Sequence, residues 1–429
     1  MRPSLPEYKM RPSLPAADVC CACGACVDTC PHHALSWSED VNAFYRIKVD
    51  LNRCMLCGLC EKTCHLLNPQ ALVRHDATQV KPLAGWSTNE EIIRRSASGG
   101  AFAQLAHHLL STREKVYVFG AALMEGFSVS HIEIDAVAYL PLLQNSKYQQ
   151  SYVVGCYRQV RKRLREGAWV LFSGVPCQIA ALYAYLGNEP QERLYTAEVL
   201  CHGVPTNELH KKALQFEKAQ RIVSYRTKEG TGWIGNNNRL TYEMEDGRQV
   251  SKKKHVYDFL FRAYLQFSFN RPNCFHCPYA TLDRVSDLTL GDFWGWNKSP
   301  RKEQYRNHQG VSIILPNSPK GRALVEECKE LYTTETTWRE ILPYNQNLYM
   351  PTNDYLFDGA SKIRRIRKLP DWLQKFIYQN GFSYRYLNEA YRCLMQVLLW
   401  PKHFMQQRVS RKAMNEALTR LEQGPAKES

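Results

Sequence analysis

Long hydrophobic runs are missing from this 429-residue sequence. The longest apolar stretch, Cys393 to Trp400, reaches about half of the roughly 18 residues that mark a membrane span. The N-terminus also lacks the apolar core of a signal peptide, so we expect a cytoplasmic chain without a transmembrane segment. A hydrophobic content of 44% nevertheless excludes an intrinsically disordered protein.

Acidic residues are fewer than basic ones. The 41 Asp and Glu against 56 Lys and Arg give a formal net charge of +15, as many nucleic-acid-binding proteins have. However, residues 361–429 hold 14 basic and 5 acidic residues, so more than half of the surplus lies in a C-terminal segment without a recognised binding module. We therefore expect no nucleic-acid partner. The basic stretches 362–368 and 402–420 could contact a partner or an anionic membrane surface, or form a solvated helical face.

Cysteine, in contrast, is abundant, with 16 residues. Thiols stay reduced in the cytoplasm, so we expect these cysteines to be metal ligands or catalytic groups rather than disulfides. Eight of them form two runs with the spacing C-x2-C-x2-C-x3-C. The runs are Cys20, Cys23, Cys26, Cys30 and Cys54, Cys57, Cys60, Cys64.

The two runs have the pattern of bacterial two-cluster ferredoxins, in which the fourth cysteine of each run ligates the other cluster. A zinc ribbon, the alternative, pairs two C-x2–4-C knuckles and has no use for a third cysteine two residues later. The pattern therefore predicts two [4Fe–4S] clusters. Their predicted ligands are Cys20, Cys23, Cys26 and Cys64 for one, and Cys54, Cys57, Cys60 and Cys30 for the other. Cys21 is out of register with the first run, and His65 stands where a proline usually follows the second.

The domain organisation follows from composition and periodicity. A repeated Arg-Pro-Ser-Leu-Pro at 2–6 and 11–15 predicts a flexible tail over 1–17. A ferredoxin domain over 18–70 and an apolar-poor linker over 71–84 follow. From residue 85 strand-like and helical patterns alternate, which predicts an α/β (or α+β) domain with a mixed or parallel sheet. We expect strands at 115–122, 168–172, 196–200 and 288–290, and a helical basic extension over 346–429.

Motifs in the α/β region occur in the order of a known family. They are Ser98-Gly99-Gly100, Ser146 to Ser151, Val170 to Gln178, Cys201 to Pro205, Cys274-x2-Cys277 and Arg284 to Gly295. Together they resemble the beta-subunit family of the deazaflavin coenzyme (coenzyme F-420) hydrogenases and dehydrogenases. With the ferredoxin domain the resemblance covers roughly three quarters of the chain, although Val175 stands where the family usually has threonine.

The resemblance implies a flavin, normally FAD, and a further [4Fe–4S] cluster. It divides the region into an N-terminal family domain over 85–160 and a C-terminal domain over 161–345, which would hold both groups. The positions of the remaining cysteines agree in part with this implied cluster. Cys177 and Cys201 each follow a predicted strand, and Cys274 and Cys277 form a C-x2-C knuckle. Strand ends of a parallel sheet meet at one edge, so these four are the predicted ligands of the inner cluster. A zinc ion fits the same spacing, and Cys177 could instead be a redox thiol.

The flavin candidates lie in three stretches. Ser98, Gly99 and Gly100 precede a helical pattern and could offer N–H groups to a pyrophosphate, or be an ordinary helix cap. Lys147 and Ser151 could contact a phosphate or the isoalloxazine ring, with a solvated face as the alternative. Asp292, in the turn from Gly291 to Gly295, suits a polar contact to the cofactor, although a buried turn is equally consistent.

Two residues are candidates for catalysis. His202 could transfer a proton to a reduced flavin, or could serve structurally beside Cys201. Lys228 belongs to the stretch Arg226-x-Lys228-x4-Trp233, which resembles the family's substrate-side segment, with a plain hairpin as the alternative.

These signals together predict an iron–sulfur flavoprotein oxidoreductase. It would pass electrons between a low-potential donor such as ferredoxin, [4Fe–4S] clusters, a flavin and an organic acceptor, for which a deazaflavin coenzyme is one candidate. The main alternative is a non-enzymatic electron-transfer subunit of a larger complex, and a second is a basic, zinc-containing nucleic-acid binder. The expected partners are a ferredoxin or a hydrogenase or dehydrogenase subunit and a small-molecule acceptor, and a homo-oligomer is compatible with the sequence.

Overall fold

The fold was analysed in a computed structural model of the chain. The residues it describes are 11–124, 128–228, 238–252, 258–265, 267, 269–305, 307, 309–352, 369–373 and 408–424. They form an N-terminal cysteine module, an eight-stranded sheet with helices on both faces, a small three-stranded sheet and a helix near the C-terminus.

The N-terminal module contains two short helices and one hairpin. Its elements are α1 (Ala25–Thr29), β1 (Leu35–Glu39), β2 (Tyr45–Val49) and α2 (Leu59–Lys62), with β1 and β2 antiparallel. Both helices begin directly after a glycine at positive φ, Gly24 (83°) and Gly58 (73°). That conformation suits glycine and lets the chain turn sharply after the second cysteine of each run. Cys26, Cys30 and Cys60 are themselves part of the module's buried core.

Thirteen strands lie in the described residues, and eight of them form the central sheet. The later strands are β3 (Leu83–Ser87), β4 (Val116–Leu123), β5 (Val129–Ile134), β6 (Trp169–Gly174), β7 (Leu194–Val199), β8 (Ala219–Lys228), β9 (Asn238–Met244), β10 (Gln249–Lys252), β11 (Leu288–Asp292), β12 (Ser312–Pro316) and β13 (Leu331–Glu335). The central order is β13-β3-β12-β11-β7-β6-β4-β5, whereas β8, β9 and β10 form the small antiparallel sheet. The neighbours β4, β6, β7 and β11 run parallel, and the outer strands run antiparallel. The mixed sheet and the four expected strands are thereby confirmed.

Helices cover both faces of the central sheet. The remaining helices are α3 (Glu90–Arg95), α4 (Ala101–Thr112), α5 (Leu140–Leu143), α6 (Cys156–Arg165), α7 (Pro176–Leu186), α8 (Asn207–Glu217), α9 (Phe259–Leu265), α10 (Pro319–Glu327), α11 (Trp338–Ile341) and α12 (408–423). Val118 and Leu171 pack with α4 and α10 on one face. Their chain neighbours Phe119 and Phe172 pack with α6 and α7 on the other, as the two-residue period of a strand requires.

The sheet joins segments that the sequence divided. Strands β4 and β5 lie in the predicted domain 85–160, β3 overlaps its first residues, and the other five lie in 161–345, so both predicted family domains contribute strands to one sheet. β3 also begins at Leu83, inside the predicted linker 71–84, where Ala77 and Val80 are already buried. The linker contains few apolar residues, but Ala77, Val80 and Ala84 pack in a core cluster with strand β12, which a composition count does not reveal.

The C-terminal helix α12 is docked on the body of the protein. Ala417 is buried, and Met414 and Leu418 pack against the same core cluster as Phe293. Arg420 forms an ion pair with Asp283 at 2.7 Å. A basic helix near the C-terminus is therefore confirmed, while the basic stretch 362–368 lies outside the described residues. No helix in the described part of the chain is both long and apolar enough to cross a bilayer.

Candidate functional site

The eight ferredoxin-type cysteines separate into two groups, each around a cavity. Cys20, Cys23, Cys26 and Cys64 line one cavity and are called the first cysteine group. Cys30, Cys54, Cys57 and Cys60 line the other and are called the second cysteine group. The fourth cysteine of each run therefore lies with three cysteines of the other run. Two [4Fe–4S] clusters in a ferredoxin domain require this arrangement, so the eight cysteines fit two such clusters.

The first cysteine group is buried in a way that disfavours free thiolates. Burial, together with the neighbouring Cys21 thiol, raises the pKa of Cys20 to about 11. Burial raises the pKa of Cys26 well above its usual value, and Cys20 and Cys64 raise it further. Several ionised thiols so close together repel one another unless a cation lies between them. A bound metal cluster supplies that positive charge and releases the protons.

Residues 11–15 cover both cavities, although the sequence placed them in a flexible tail. Pro12 is buried and lines the cavity of the second cysteine group. Leu14 and Pro15 line the cavity of the first. The backbone N–H of Ser13 donates to Oε1 of Glu61 at 2.9 Å. Proline does prevent regular secondary structure here, but an irregular segment can still pack its apolar rings over the cysteines.

A third set of thiols converges at the carboxyl ends of the parallel strands. Cys177 is the second residue of α7 and follows β6, Cys201 follows β7, and Cys274 and Cys277 lie in and just after a short 3-10 helix. These four are called the inner cysteine group. Burial raises the pKa of Cys201 to about 12. Burial likewise raises the pKa of Cys274, and the thiols of Cys201 and Cys277 raise it further, as expected for groups that face one another.

Gly203 keeps the loop after Cys201 close to the knuckle. Its φ is 99°, and an added Cβ would lie 2.2 Å from the amide nitrogen of Asn270. The N–H of Gly203 also donates to the sulfur of Cys201 at 3.4 Å. Such N–H···S contacts are among those by which proteins tune iron–sulfur clusters.

The spacing of the thiols bears on the zinc alternative. Within the residues that the structure describes, no three thiols of any of the three groups lie within 4.8 Å of one another. Four thiolates around one zinc ion would be about 3.8 Å apart, because each Zn–S bond measures about 2.3 Å in a tetrahedral site. In this respect the inner cysteine group does not differ from the two ferredoxin-type groups.

Cys21 lies between the first cysteine group and the inner one, a position that sequence reasoning missed. Its thiol is 5% exposed and lies 3.6 Å from Nε2 of His65, whose other ring nitrogen contacts the hydroxyl of Tyr279. Hydrogen bonds from the thiols of Cys177 and Cys23 hold the pKa of Cys21 well below its usual value. Cys21 thus contacts one member of each group. The adjacent Cys20-Cys21 pair was the only sequence signal, and it does not say what lies opposite.

The Ser98-Gly99-Gly100 turn lies at the same edge of the sheet as Asp292. The hydroxyl of Ser98 donates to the carbonyl of Val311 at 2.9 Å, and the N–H of Gly99 donates to Oγ of Ser312 at 3.1 Å. Ser312 pairs with Asp292 between β12 and β11. These two donors are therefore engaged in packing the turn. The predicted phosphate contact then depends on the first turn of α4, which starts at Ala101.

Asp292 forms a buried ion pair with Arg226. Nη1 of Arg226 lies 2.6 Å from the carboxylate, and the arginine side chain is 4% exposed. The guanidinium carbon lies 5.6 Å from the ring centre of Trp294. In the described part of the chain, Nη2 of Arg226 has no hydrogen-bond partner. A buried donor without an acceptor is costly, so this atom fits a ligand that supplies an oxygen or ring nitrogen.

His202 adjoins this pair and also follows Cys201. Its carbonyl accepts hydrogen bonds from Oγ1 of Thr352 at 2.9 Å and from the amide of Asn270 at 3.2 Å. Burial lowers the pKa of His202, although the negative charge of Asp292 and a hydrogen bond with Asn347 oppose that shift. The imidazole is therefore neutral near pH 7.

Lys147 and Ser151 lie on the loop before α6, and their contacts are internal. Nζ of Lys147 donates to the carbonyls of Gln144 at 2.5 Å and Leu142 at 3.3 Å. Burial lowers the pKa of Lys147 to about 7. The hydroxyl of Ser151 accepts a hydrogen bond from the amide of Gln178, at the start of α7 beside Cys177. Lys228 ends β8, but its side chain, like all of Trp233, lies outside the described residues.

Two family models match the chain. One describes the C-terminal region of the beta subunit in coenzyme F420 hydrogenase/dehydrogenase, and it matches residues 167–338. The other, a 4Fe-4S dicluster domain, matches residues 19–66. Residues 167–338 are thus similar to the C-terminal region of that beta-subunit family, and residues 19–66 are similar to a 4Fe-4S dicluster domain. The chain is thus an iron–sulfur electron-transfer protein, and the resemblance found in the sequence is confirmed.

The solved structures that are similar to the chain include the F420-reducing [NiFe] hydrogenase complex from Methanosarcina barkeri. Its sequence identity to the chain is 14%, and its TM-score is 0.42 over 70% of this chain and 93% of the other. No curated protein sequence matches.

Proposed function

We propose that the chain is an iron–sulfur flavoprotein oxidoreductase, which takes single electrons from a low-potential protein donor such as a ferredoxin and exchanges an electron pair with an organic acceptor. The observation that carries the proposal is the succession of three cysteine groups. It leads from the exposed Cys57 through Cys21 to the Arg226–Asp292 pair. In this proposal the first and second cysteine groups hold the two clusters of the dicluster domain, and the inner cysteine group holds a third [4Fe–4S] cluster.

The surface around Cys57 suits a protein donor. Cys57 is an exposed cysteine of the second group, and Met55, Leu56 and Leu59 beside it are 69%, 45% and 41% exposed. Adjacent apolar side chains in water mark a contact surface for another protein. A small patch of this kind is typical of transient redox partners, which bury little area. Electrons would therefore reach the chain at the second cysteine group.

The opposite end of the succession has the residues to hold a flavin. The unpaired Nη2 of Arg226, the ring of Trp294 and the first turn of α4 would together bind an aromatic, anionic cofactor, for which we propose FAD. When bound, a flavin can exchange electrons singly or in pairs, so it would couple one-electron transfer by the clusters to two-electron hydride transfer. Asp292 holds the guanidinium in place, and the neutral His202 can accept or return a proton beside the acceptor. We assign Lys228 to the acceptor side from the family resemblance alone.

The acceptor that we propose is a deazaflavin coenzyme. The support is the description of the matching family, which names coenzyme F420, and the position of the family match over residues 167–338. These residues include the inner cysteine group, His202, Arg226 and Asp292. A partner subunit is a second expectation, because the same description names a beta subunit, which implies at least one other chain.

Anaerobic purification followed by iron, sulfide, zinc and flavin analysis tests the proposal. We expect about twelve iron and twelve acid-labile sulfide per chain, which is three clusters of four, and about one FAD. A value near eight iron would contradict the third cluster but not the dicluster domain. Stoichiometric zinc would support the zinc alternative for the inner cysteine group. If heat-released supernatant of fully loaded protein contained no flavin, the electron-relay subunit would replace the enzyme.

A further inference from the structure

Arg271 is the largest fully buried side chain at the junction of the N-terminal module and the sheet domain. It is 1% exposed and lies three residues before Cys274. Its Nη1 donates to Oε1 of Gln150 at 2.8 Å. Its Nη2 donates to the carbonyls of Tyr45 at 3.0 Å and Cys20 at 3.2 Å. One guanidinium group thus bonds to the module through two carbonyls and to the sheet domain through Gln150.

All of these acceptors are neutral. The remaining contacts of the guanidinium are also uncharged, namely the amide oxygen of Asn273 at 3.4 Å and the ring of Phe44. Within the part of the chain that the structure describes, no carboxylate forms an ion pair with Arg271. The buried Arg226 and Arg284, by contrast, pair with Asp292 and Glu198. A guanidinium does not lose its proton in a protein, so Arg271 remains a buried charge without a carboxylate partner.

The ionisable groups that act on this charge are Arg46 and three thiols. Arg46 forms its own ion pair with Asp40 at 2.7 Å, so the thiols are the groups that could balance Arg271. Cys274, Cys20 and Cys21 all interact with the charge of Arg271. Cys20 belongs to the first cysteine group, and Cys274 belongs to the inner one. A [4Fe–4S] cluster with four thiolates carries a net charge of about −2, which would compensate the guanidinium from two sides.

We propose that Arg271 is the shared counter-charge of the first ferredoxin-type cluster and the inner cluster, and that it holds the N-terminal module against the sheet domain when these clusters are present. This inference rests on the proposed function for the inner cluster. A positive charge in a buried, weakly screening site favours the form of the cluster that carries the extra electron. Arg271 therefore raises the reduction potentials of both clusters, and it acts as a positioning residue rather than as a ligand.

Redox titration of the loaded protein, monitored by electron paramagnetic resonance, tests the inference. Arg271→Met should make two of the three midpoints more negative, with at least a tenfold smaller equilibrium constant for reduction, which is 59 mV for one electron. Arg271→Lys, which keeps the charge, should stay within about threefold of the wild type. Arg74→Met is the matched control, because Arg74 also donates to backbone carbonyls (Asp283 and Pro278) but is partly exposed to solvent. Its midpoints should not change.

Thermal unfolding with and without iron separates charge from packing. The loss of Tm caused by Arg271→Met should be larger in the loaded protein than in the chelated protein, because the counter-charge matters only when clusters are present. Three outcomes would each overturn the inference. The first is an equal loss of Tm in the loaded and the chelated protein. The others are unchanged midpoints in a fully loaded Arg271→Met protein, and a midpoint shift in Arg271→Lys equal to that in Arg271→Met. If Arg271→Met does not fold, Arg271→Gln takes its place as the neutral variant.

The failure of this inference can be distinguished from the failure of the proposed function. If the wild-type protein contained about eight iron atoms per chain and showed two midpoints, the inner cluster would be absent and the proposed function would be wrong on this point. In that case the shift of one ferredoxin-type midpoint in Arg271→Met would still test the role of Arg271.

Discussion

At the scale of single residues, the inner cysteine group depends on contacts between distant parts of the chain. Cys177 and Cys201 reach the site at the ends of neighbouring parallel strands, and Cys274 reaches it through a short 3-10 helix. Each of the four cysteines is partly buried, and each thiol interacts with at least one other. We expect a thiol that lies among other thiols to be a metal ligand rather than a residue that only packs. Single substitutions distinguish these two roles.

Cys274→Ser should remove one cluster and leave the two ferredoxin-type clusters in place. Serine has nearly the same size, so the fold should persist while the inner cysteine group loses one thiolate. The measurement is iron content, which should fall by about four per chain. Cys328→Ser is the control, since Cys328 is also buried but packs in the core against the carbonyl of Gln104. Unchanged iron in Cys274→Ser would mean that the knuckle is structural.

His65, which replaces the proline that usually follows the second cysteine run, makes contacts that a proline could not make. A proline at this position could not contact both Cys21 and Tyr279, as the imidazole does. The aromatic ring of Tyr279 in turn packs in the core on the face that α6 and α7 cover. His65 thus connects the second cysteine run to the sheet domain.

At the scale of elements, the segment 11–15 behaves as a cover for the cysteine cavities. It has no helix or strand, yet Pro12 is buried and Leu14 packs against the core of the module. Burial of such side chains excludes water and small reagents from the cysteines beneath.

Removing residues 2–15 should therefore accelerate the loss of iron to a chelator by at least threefold under anaerobic conditions. The exposed clusters would also react faster with oxygen, which the decay of the brown absorbance reports. A chain that lacks only residues 2–10 is the control and should lose iron at the wild-type rate. Equal rates for both truncated chains would show that the segment does not protect the clusters.

At the scale of the whole molecule, the proposed function makes the three cysteine groups one electron route between the surface and a buried site. The N-terminal module lies against the face that α6 and α7 cover, where Ala25 packs into the same core cluster as Phe172. Asp28 fixes this arrangement, because its carboxylate accepts a hydrogen bond from the N–H of Gly155 at 2.7 Å. The docking brings the first cysteine group next to Cys177 and leaves Cys57 at the surface.

Cys57→Ser should separate the two ends of this route. The variant should keep the proposed FAD, because the Arg226–Asp292 pair lies at the opposite end of the proposed route from Cys57. Reduced ferredoxin should no longer bleach the flavin absorbance, whereas a small-molecule reductant such as dithionite still should. Cys156→Ser, which changes a buried cysteine in α6 outside the three groups, should retain both reactions. Ferredoxin-driven bleaching that persists in Cys57→Ser would mean that electrons reach the chain elsewhere.

Local patterns in the sequence were sufficient for the two cysteine runs, the four expected strands and the family resemblance. The ligands of each ferredoxin-type cluster lie mostly within ten residues of one another, and strand periodicity is a local property, so spacing alone carries this information. The sorting of Cys30 and Cys64 into opposite groups was also predictable, because it follows from the repeat itself.

Only the tertiary structure decided how these parts combine. Arg271, Cys21 and Gln150 are far apart in the chain, and no local pattern distinguishes a buried arginine without a carboxylate partner from a solvated one. The same holds for residues 11–15, whose prolines predict irregular backbone but not what the backbone covers. Secondary structure and ligand spacing depend on residues that are neighbours in the sequence. Burial and charge compensation depend on which distant segments the fold brings into contact.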